Sequence, residues 1–230
     1  MRTLALFVLL ALVSSNSLAR TQVVMLGTGT PIPTPNRSGP ATAIVVDGKA
    51  YIVDFGPGVV RRAAAVSKEY GGPLNALNVD QLGIAFLTHL HHDHSSGLPD
   101  LVYTSWTHGR EKPFELYGPP GTTAMASNVA AAWEEDNRYR LYGLEPATTS
   151  GWKINSHEIE EGIVYTDELI TVEAFKVKHG TWPNAFGYRF TTPDKVIVIS
   201  GDAAYDPKLE AMATGADILI HEVVSEAALS

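Results

Sequence analysis

The amino-acid sequence predicts an α/β domain in which sheets pack on one another and helices cover them outside. Two observations predict it: strand and helix patterns alternate up to about residue 150, and from there on the pattern is almost entirely β. A third sets the scale. With 230 residues, 45% of them hydrophobic, and neither a repeat nor a linker, the chain suffices for one domain with a large core.

The elements follow in order. Val23–Leu26 is a short strand that stops at Gly27-Thr28-Gly29-Thr30-Pro31, a loop too rich in Gly and Pro to continue it. Ala43–Asp47 and Ala50–Asp54 read as a hairpin around Asp47-Gly48, a strong turn pair. Phe55-Gly56-Pro57-Gly58 opens a helix running to about Lys68, with Pro57 near its first turn. The apolar run Gly83–Leu87 is a buried strand. Gly97–Thr107 and Pro120–Glu135 read as helices, separated by the strand Phe114–Tyr117. The β-rich part then holds strands at Lys153–Asn155, Ile163–Tyr165, Ile170–Lys178, Phe186–Thr191 and Val196–Ser200. A helix at Pro207–Ala213 and a strand at Ile218–His221 close the pattern.

Residues 1–19 separate from this domain, which takes up 20–230. Arg2, the apolar run Leu4–Val13 and a small-residue site ending at Ala19 form the pattern of a secretory signal, too short for a stable membrane anchor. The expected location is periplasmic or secreted. The formal net charge is −8, and losing 1–19 removes one basic residue (Arg2) and no acidic one. Binding a polyanion depends on Lys and Arg displacing counterions, and there is no basic run, so the charge pattern disfavours nucleic acid as a partner. The absence of cysteine excludes disulfides and thiolate ligands.

Residues 88–94 read Thr-His-Leu-His-His-Asp-His, placing four imidazoles and a carboxylate just after a buried strand. A core segment would not use its positions so, because each buried imidazole needs a hydrogen-bond partner or a metal. His89 and His91 are two apart, so on an extended strand end they face the same side and can grip one ion. Asp93 and His94 follow on the turn and suit a second ion, while His92 faces away. Further candidates stand at other strand ends: His179 after Ile170–Lys178, Asp202 after Val196–Ser200, and His221-Glu222 at the last strand. Side chains from distant segments converge at such carboxyl ends. Trp182 follows His179 and is a candidate for the pocket wall. Trp106 and Trp133 read as packing residues, and His108 and His157 as surface residues.

Taken together, Gly27-Thr28-Gly29-Thr30-Pro31, Asp54-Phe55-Gly56, His89-x-His91-x-Asp93-His94, His179, Ser200-Gly201-Asp202 and Ile220-His221-Glu222 resemble the metallo-β-lactamase superfamily. Within it they are similar to the branch holding ribonuclease Z and the arylsulfatase-like hydrolases. The resemblance implies a four-layer αβ/βα sandwich with two zinc ions at one edge. It implies His89, His91 and His179 on the first ion, Asp93 and His94 on the second, and Asp202 bridging both. Asp93 and His221 are the catalytic candidates, His221 assisting protonation of the leaving group. Asp54 resembles a structural carboxylate that orders the loops beneath.

Two departures shape the functional expectation. Ribonuclease Z enzymes carry a long arm between the segments matching His179 and Asp202, whereas here residues 180–201 hold two strands and a turn. The family also supplies a final His some tens of residues beyond the His-Glu element, and this sequence stops at Ser230, so the second ion is expected to be held weakly. The expected activity is that of an exported zinc hydrolase using a metal-bridging hydroxide on a small ester, phosphodiester or sulfate ester. The alternatives are a ribonuclease Z-type endonuclease acting on the 3′ side of tRNA, and a truncated product that binds metal without turnover. The sequence leaves a homodimer open.

Overall fold

In the computed structural model, residues 20–145 and 147–223 are described; the stretch 1–19, read as an export signal, lies outside the described residues. Two sheets face each other. The first holds strands β1 (Thr21–Gly27), β2 (Ala41–Val46), β3 (Lys49–Val53), β4 (Ile84–Phe86), β5 (Phe114–Gly118) and β6 (Ile154–Glu158), in that spatial order. The second holds β7 (Gly162–Thr166), β8 (Thr171–Lys176), β9 (Phe186–Thr191), β10 (Val196–Ile199) and β11 (Ile218–Ile220), with β11 at one edge and β7 at the other. The helices are α1 (Val59–Val66), α2 (His92–Ser95), α3 (Leu98–Thr107), α4 (Thr122–Ala132), α5 (Glu134–Tyr142) and α6 (Pro207–Ala213). No helix among the described residues is long and apolar enough to cross a membrane.

The period-2 alternation of the strands divides the core into layers. On β2, Ala43 and Val45 join the cluster under α1 and α3, while Ile44 and Val46 face the other sheet. Both faces of this strand are therefore buried, which explains a run that is apolar throughout rather than alternating. Between the sheets, Phe86 of β4 is fully buried among Tyr117, Tyr165, Tyr188 and Phe190, with ring centroids 5.2–5.8 Å away. Burying such a ring contributes about 1.5–3 kcal/mol. A third cluster packs Leu209 of α6 under Phe175 and Val198 of the second sheet. Helix layer, sheet, sheet and helix layer make the expected four-layer sandwich.

Two polar staples join the layers. Asp167 accepts hydrogen bonds from Lys49 Nζ (2.6 Å), Tyr51 Oη (2.7 Å), Tyr165 Oη (2.8 Å) and the backbone N–H groups of Leu169 and Ile170 (both 2.9 Å). Arg110 is buried, has no carboxylate partner among the described residues, and donates to the carbonyls of Lys112, Leu82, Leu101, Val102 and Gly151. That fastens the end of α3 to the strands beside it.

Most elements fall where the sequence puts them, and the differences have physical causes. The expected helix Pro120–Glu135 ends at Ala132, and a second helix that the pattern does not predict runs from Glu134 to Tyr142; at the join the Trp133 ring stacks on Tyr103 at 5.6 Å. Glu134, Glu135 and Asp136 then lie in the first turn of α5, where negative charge suits the helix dipole. Residues 68–81, left as loop by the pattern, form three single 3₁₀ turns, Lys68–Tyr70, Asn75–Leu77 and Val79–Gln81.

Candidate metal centre

The centre assembles where β3, β4, β8 and β10 end on one rim. Beyond β4 the chain leaves the sheet at Thr88 and His89, both buried, and turns into α2 with His91 as its N-cap. The backbone of α2 is pinned from below: Phe55 N donates to His94 O at 2.8 Å and Gly97 N to Phe55 O at 2.8 Å. Gly56 is required here, because a Cβ would lie 2.3 Å from Asp93 O. At the end of β10, Gly201 turns with φ 61° against Thr88, and this turn delivers Asp202 to the same rim.

Two triads of donors result. His89, His91 and His179 bring their ligand nitrogens within 4.8 Å of one another, and so do His89, His94 and Asp202 with theirs. In the first, His91 Nδ1 lies 2.9 Å from His89 Nε2 and 3.1 Å from His179 Nε2. A tetrahedral ion with bonds of about 2.05 Å separates its ligand nitrogens by roughly 3.3 Å, so three imidazoles so converged fit one cation.

Hydrogen bonding fixes which nitrogens face inward. Asp54, in a left-handed backbone conformation at the end of β3 (φ 56°), accepts from Thr88 N (2.8 Å), Thr88 Oγ1 (2.9 Å) and His94 Nδ1 (2.8 Å). Because the Thr88 hydroxyl donates to Asp54, it accepts from His89 Nδ1 at 3.0 Å. Both imidazoles therefore carry their proton on Nδ1 and turn Nε2 to the centre, the arrangement in which outer carboxylates and hydroxyls orient metal-binding histidines. Among the described residues, His94 Nε2 is buried with no hydrogen-bond partner; Asp202 Oδ1 lies 3.2 Å away, outside hydrogen-bond geometry. A buried orphan of this kind, beside a carboxylate, fits a cation.

The electrostatics agree. Burial, reinforced by the charge of His94, pushes the His89 imidazolium down to about 3, which keeps it a neutral donor. Burial also opposes charge on His94, but Asp54 and Asp202 outweigh it and raise this group to about 10. The carboxylates thus call for positive charge at this spot, and a divalent ion supplies it in place of the proton.

Asp202 joins the second triad, and His89 is the member common to both. Asp93 belongs to neither triad; it is buried, lines the same cavity as His94 and Asp202, and brings Oδ2 to 3.7 Å from His94 Nε2. His92 is exposed, as expected, and His157 pairs with Glu115 on the surface.

His221 stands at the end of β11 beside a cavity of about 530 Å³ lined also by Asp93, His94, Asp202, Arg37 and the loop Gly27–Pro31. Ser200 Oγ donates to Gly201 O (2.6 Å) and so accepts from His221 Nδ1 (2.8 Å), leaving Nε2 to exchange protons. Glu222 does not orient this imidazole; its Oε1 accepts from Ala203 N at 2.6 Å and braces the Asp202 loop instead. Thr88 stands in the stretch 88–94 and Ser200 in Ser200-Gly201-Asp202, but the sequence gives no sign that their hydroxyls orient His89 and His221.

A four-layer sandwich carrying such a rim of histidines and carboxylates defines a metal-dependent hydrolase acting on ester bonds. A family model described as the Beta-lactamase superfamily domain matches residues 49–227, and the chain belongs to that superfamily. It is 35% identical over 205 residues to a protein named ribonuclease Z from Mycobacterium sp. (strain KMS), covering 88% of this chain and 68% of the relative. Among solved structures, the short form of human tRNase Z superposes with a TM-score of 0.69 at 24% identity, covering 90% of this chain and 80% of that one. Zinc-bound PqqB from Methylobacterium extorquens superposes with a TM-score of 0.60 at 20% identity, covering 88% and 70%. These likenesses bear on the fold.

Proposed function

We propose that this hydrolase is a zinc-dependent phosphodiesterase of the ribonuclease Z type, cleaving RNA on the 3′ side of tRNA. The observation that carries the proposal is the gathering of donors at one rim: His89, His91 and His179 on one side, and His94 with Asp202 next to His89 on the other, which offers places for two ions. The names of its relatives, at 31–35% identity, support the substrate. They weigh against the expectation, drawn from the charge, the missing arm and the export pattern, that nucleic acid is an unlikely partner.

In this reading His89, His91 and His179 would hold one zinc, and His94 and Asp202 would hold a second, with Asp93 beside His94 at the same cavity. Imidazole and carboxylate donors without thiolate suit zinc. Zinc bound by these residues would supply an activated water and charge to offset that of the phosphate. Asp54 and Thr88 hold the ligand imidazoles in one tautomer. His221, steadied by Ser200, gives a proton from Nε2 to the departing oxygen as its bond to phosphorus breaks.

A second reading, an exported hydrolase of small esters, is favoured by one observation. Residues 180–201, between His179 and Asp202, are taken up by β9, β10 and their turns, and carry no arm to grip an RNA. The full chain supplied with zinc separates the two. Chelator-sensitive cleavage of a precursor tRNA at its 3′ side supports the first reading. Hydrolysis of bis-p-nitrophenyl phosphate or p-nitrophenyl sulfate with an intact precursor supports the second. Neither activity, with bound zinc at one per chain or fewer, would overturn both and leave a metal-binding product without turnover.

A further inference from the structure

The four imidazoles of the centre are not held alike. His89 is fixed through Nδ1 by Thr88 and His94 through Nδ1 by Asp54. His91 points Nδ1 at the centre, and its Nε2 has no hydrogen-bond partner among the described residues; His179 Nδ1 has none either. Both rings are only half-buried. A ligand ring with no outer hydrogen bond is free to turn about χ2, so something else must orient this pair.

The neighbour in place is Trp182. Its indole lies 4.3 Å from the His91 ring, centroid to centroid, at 63°, an edge-to-face contact, and 6.1 Å from His89. The backbone draws it there. Trp182 N donates to His179 O at 2.9 Å in an isolated antiparallel bridge, closed over Gly180 with φ 53°. Behind, the indole packs against the buried cluster containing Phe175, Val177 and Ala185, which makes it a rigid wall. One residue thus contacts the His91 ring through its side chain and the His179 segment through its backbone. The other tryptophans lie elsewhere: Trp106 is buried with Nε1 bonded to Thr148 O, Trp133 stacks on Tyr103, and Trp152 Nε1 bonds to Thr149 O.

We infer that Trp182 is a positioning residue for the first cation: its indole holds His91, and its bridge holds His179, in the orientation that hydrogen bonds impose on His89 and His94. The inference rests on the proposed metal roles of His89, His91 and His179 but not on any substrate.

The test measures zinc binding to the full chain by competition with a chromogenic chelator. Outer partners of metal ligands are worth about 10–100-fold in affinity. Trp182→Ala is expected to weaken the tighter site by roughly that factor. Trp182→Phe, which keeps an aromatic wall, is expected to stay within about threefold of wild type and so to rescue the loss. Zinc should also change the tryptophan emission of the wild type, and Trp182→Phe should abolish that change. Wild-type affinity in Trp182→Ala, or a zinc-dependent emission change that survives in Trp182→Phe, would overturn the inference. Should Trp182→Ala fail to fold by circular dichroism, the comparison passes to Trp182→Leu. It fills the space without an aromatic face and is expected to bind zinc more weakly than the Phe variant; equal affinity would overturn the inference. Zinc bound tightly at the first triad of a protein that leaves precursor tRNA intact would defeat the proposed substrate and leave the role of Trp182 standing.

Discussion

Replacing Asp54 by Asn exchanges one oxygen for an NH₂ group and leaves side-chain size unchanged. Asn is also among the few residues that settle readily at the left-handed backbone of this position, φ 56°. Its remaining oxygen still accepts from Thr88 N, which donates across 2.8 Å. The other branch now carries donors where Thr88 Oγ1 and His94 Nδ1 also donate, across 2.9 and 2.8 Å. His94 relieves the clash by moving its proton from Nδ1 to Nε2, the atom turned to Asp202. A protonated nitrogen is no ligand, so the second cation must compete with that proton. A loss of about 10–100-fold in its affinity is expected, or about 1.4–3 kcal/mol at 1.4 kcal/mol per decade. Chelator competition on wild type and Asp54→Asn reads both sites at once, and the first cation should change by less than about threefold. Equal affinity of both proteins for the second cation would refute the reasoning about tautomers.

Four further outcomes are expected. His221→Ala should retain its zinc while turnover falls by about 10²–10⁴-fold, the usual worth of a positioned acid; loss of metal in this variant, read by elemental analysis, would make it a ligand instead. His92→Ala should leave zinc content and turnover within about twofold, since its side chain points to solvent, and a steady-state comparison checks this. Burial opposes ionisation of Asp167, but hydrogen bonds from Lys49, Tyr51, Leu169 and Tyr165 outweigh it and hold the carboxyl below its usual range. With its folded pKa depressed, its stabilising effect is complete above the ordinary value of about 4 and is lost as pH falls through the folded value. Urea midpoints at pH 7 and pH 3 should therefore lie closer together in Asp167→Asn than in wild type. Arg110→Met should lower the thermal midpoint by several degrees, because the carbonyls of Leu82 and Gly151 lose their donor at about 1–3 kcal/mol per buried group; differential scanning calorimetry reads the shift.

Local chemistry made much of this molecule legible in its sequence. Asp47-Gly48 forms the turn between β2 and β3 with φ of 49° and 84°, as such a pair should. The histidines of 88–94 announced the centre because so many imidazoles have no bland use after a buried strand. What could not be read depends on contacts between distant residues. Nothing near Asp54 says that it meets His94, 40 positions on, and nothing near Ser200 points to His221. Nothing in the sequence says that Arg110 is buried, yet five carbonyls around it solvate the charge inside. The roles expected of Asp93 and Asp202 came from a motif, whereas the turn at Gly201 that delivers Asp202 to the rim is set by the fold. The helix Glu134–Tyr142 was not legible because its residues are mostly charged and polar and carry no apolar stripe, and the stack of Trp133 on Tyr103 at its start is a contact between residues 30 positions apart.

The most direct test of the account is a crystal of the chain grown with zinc, with anomalous scattering recorded at the zinc edge. The account predicts one strong peak within about 2.3 Å of His89 Nε2, His91 Nδ1 and His179 Nε2, and a second beside His94 Nε2 and Asp202. No peak at the imidazole triad at saturating zinc, or a peak confined to surface residues such as His108 or His157, would contradict it.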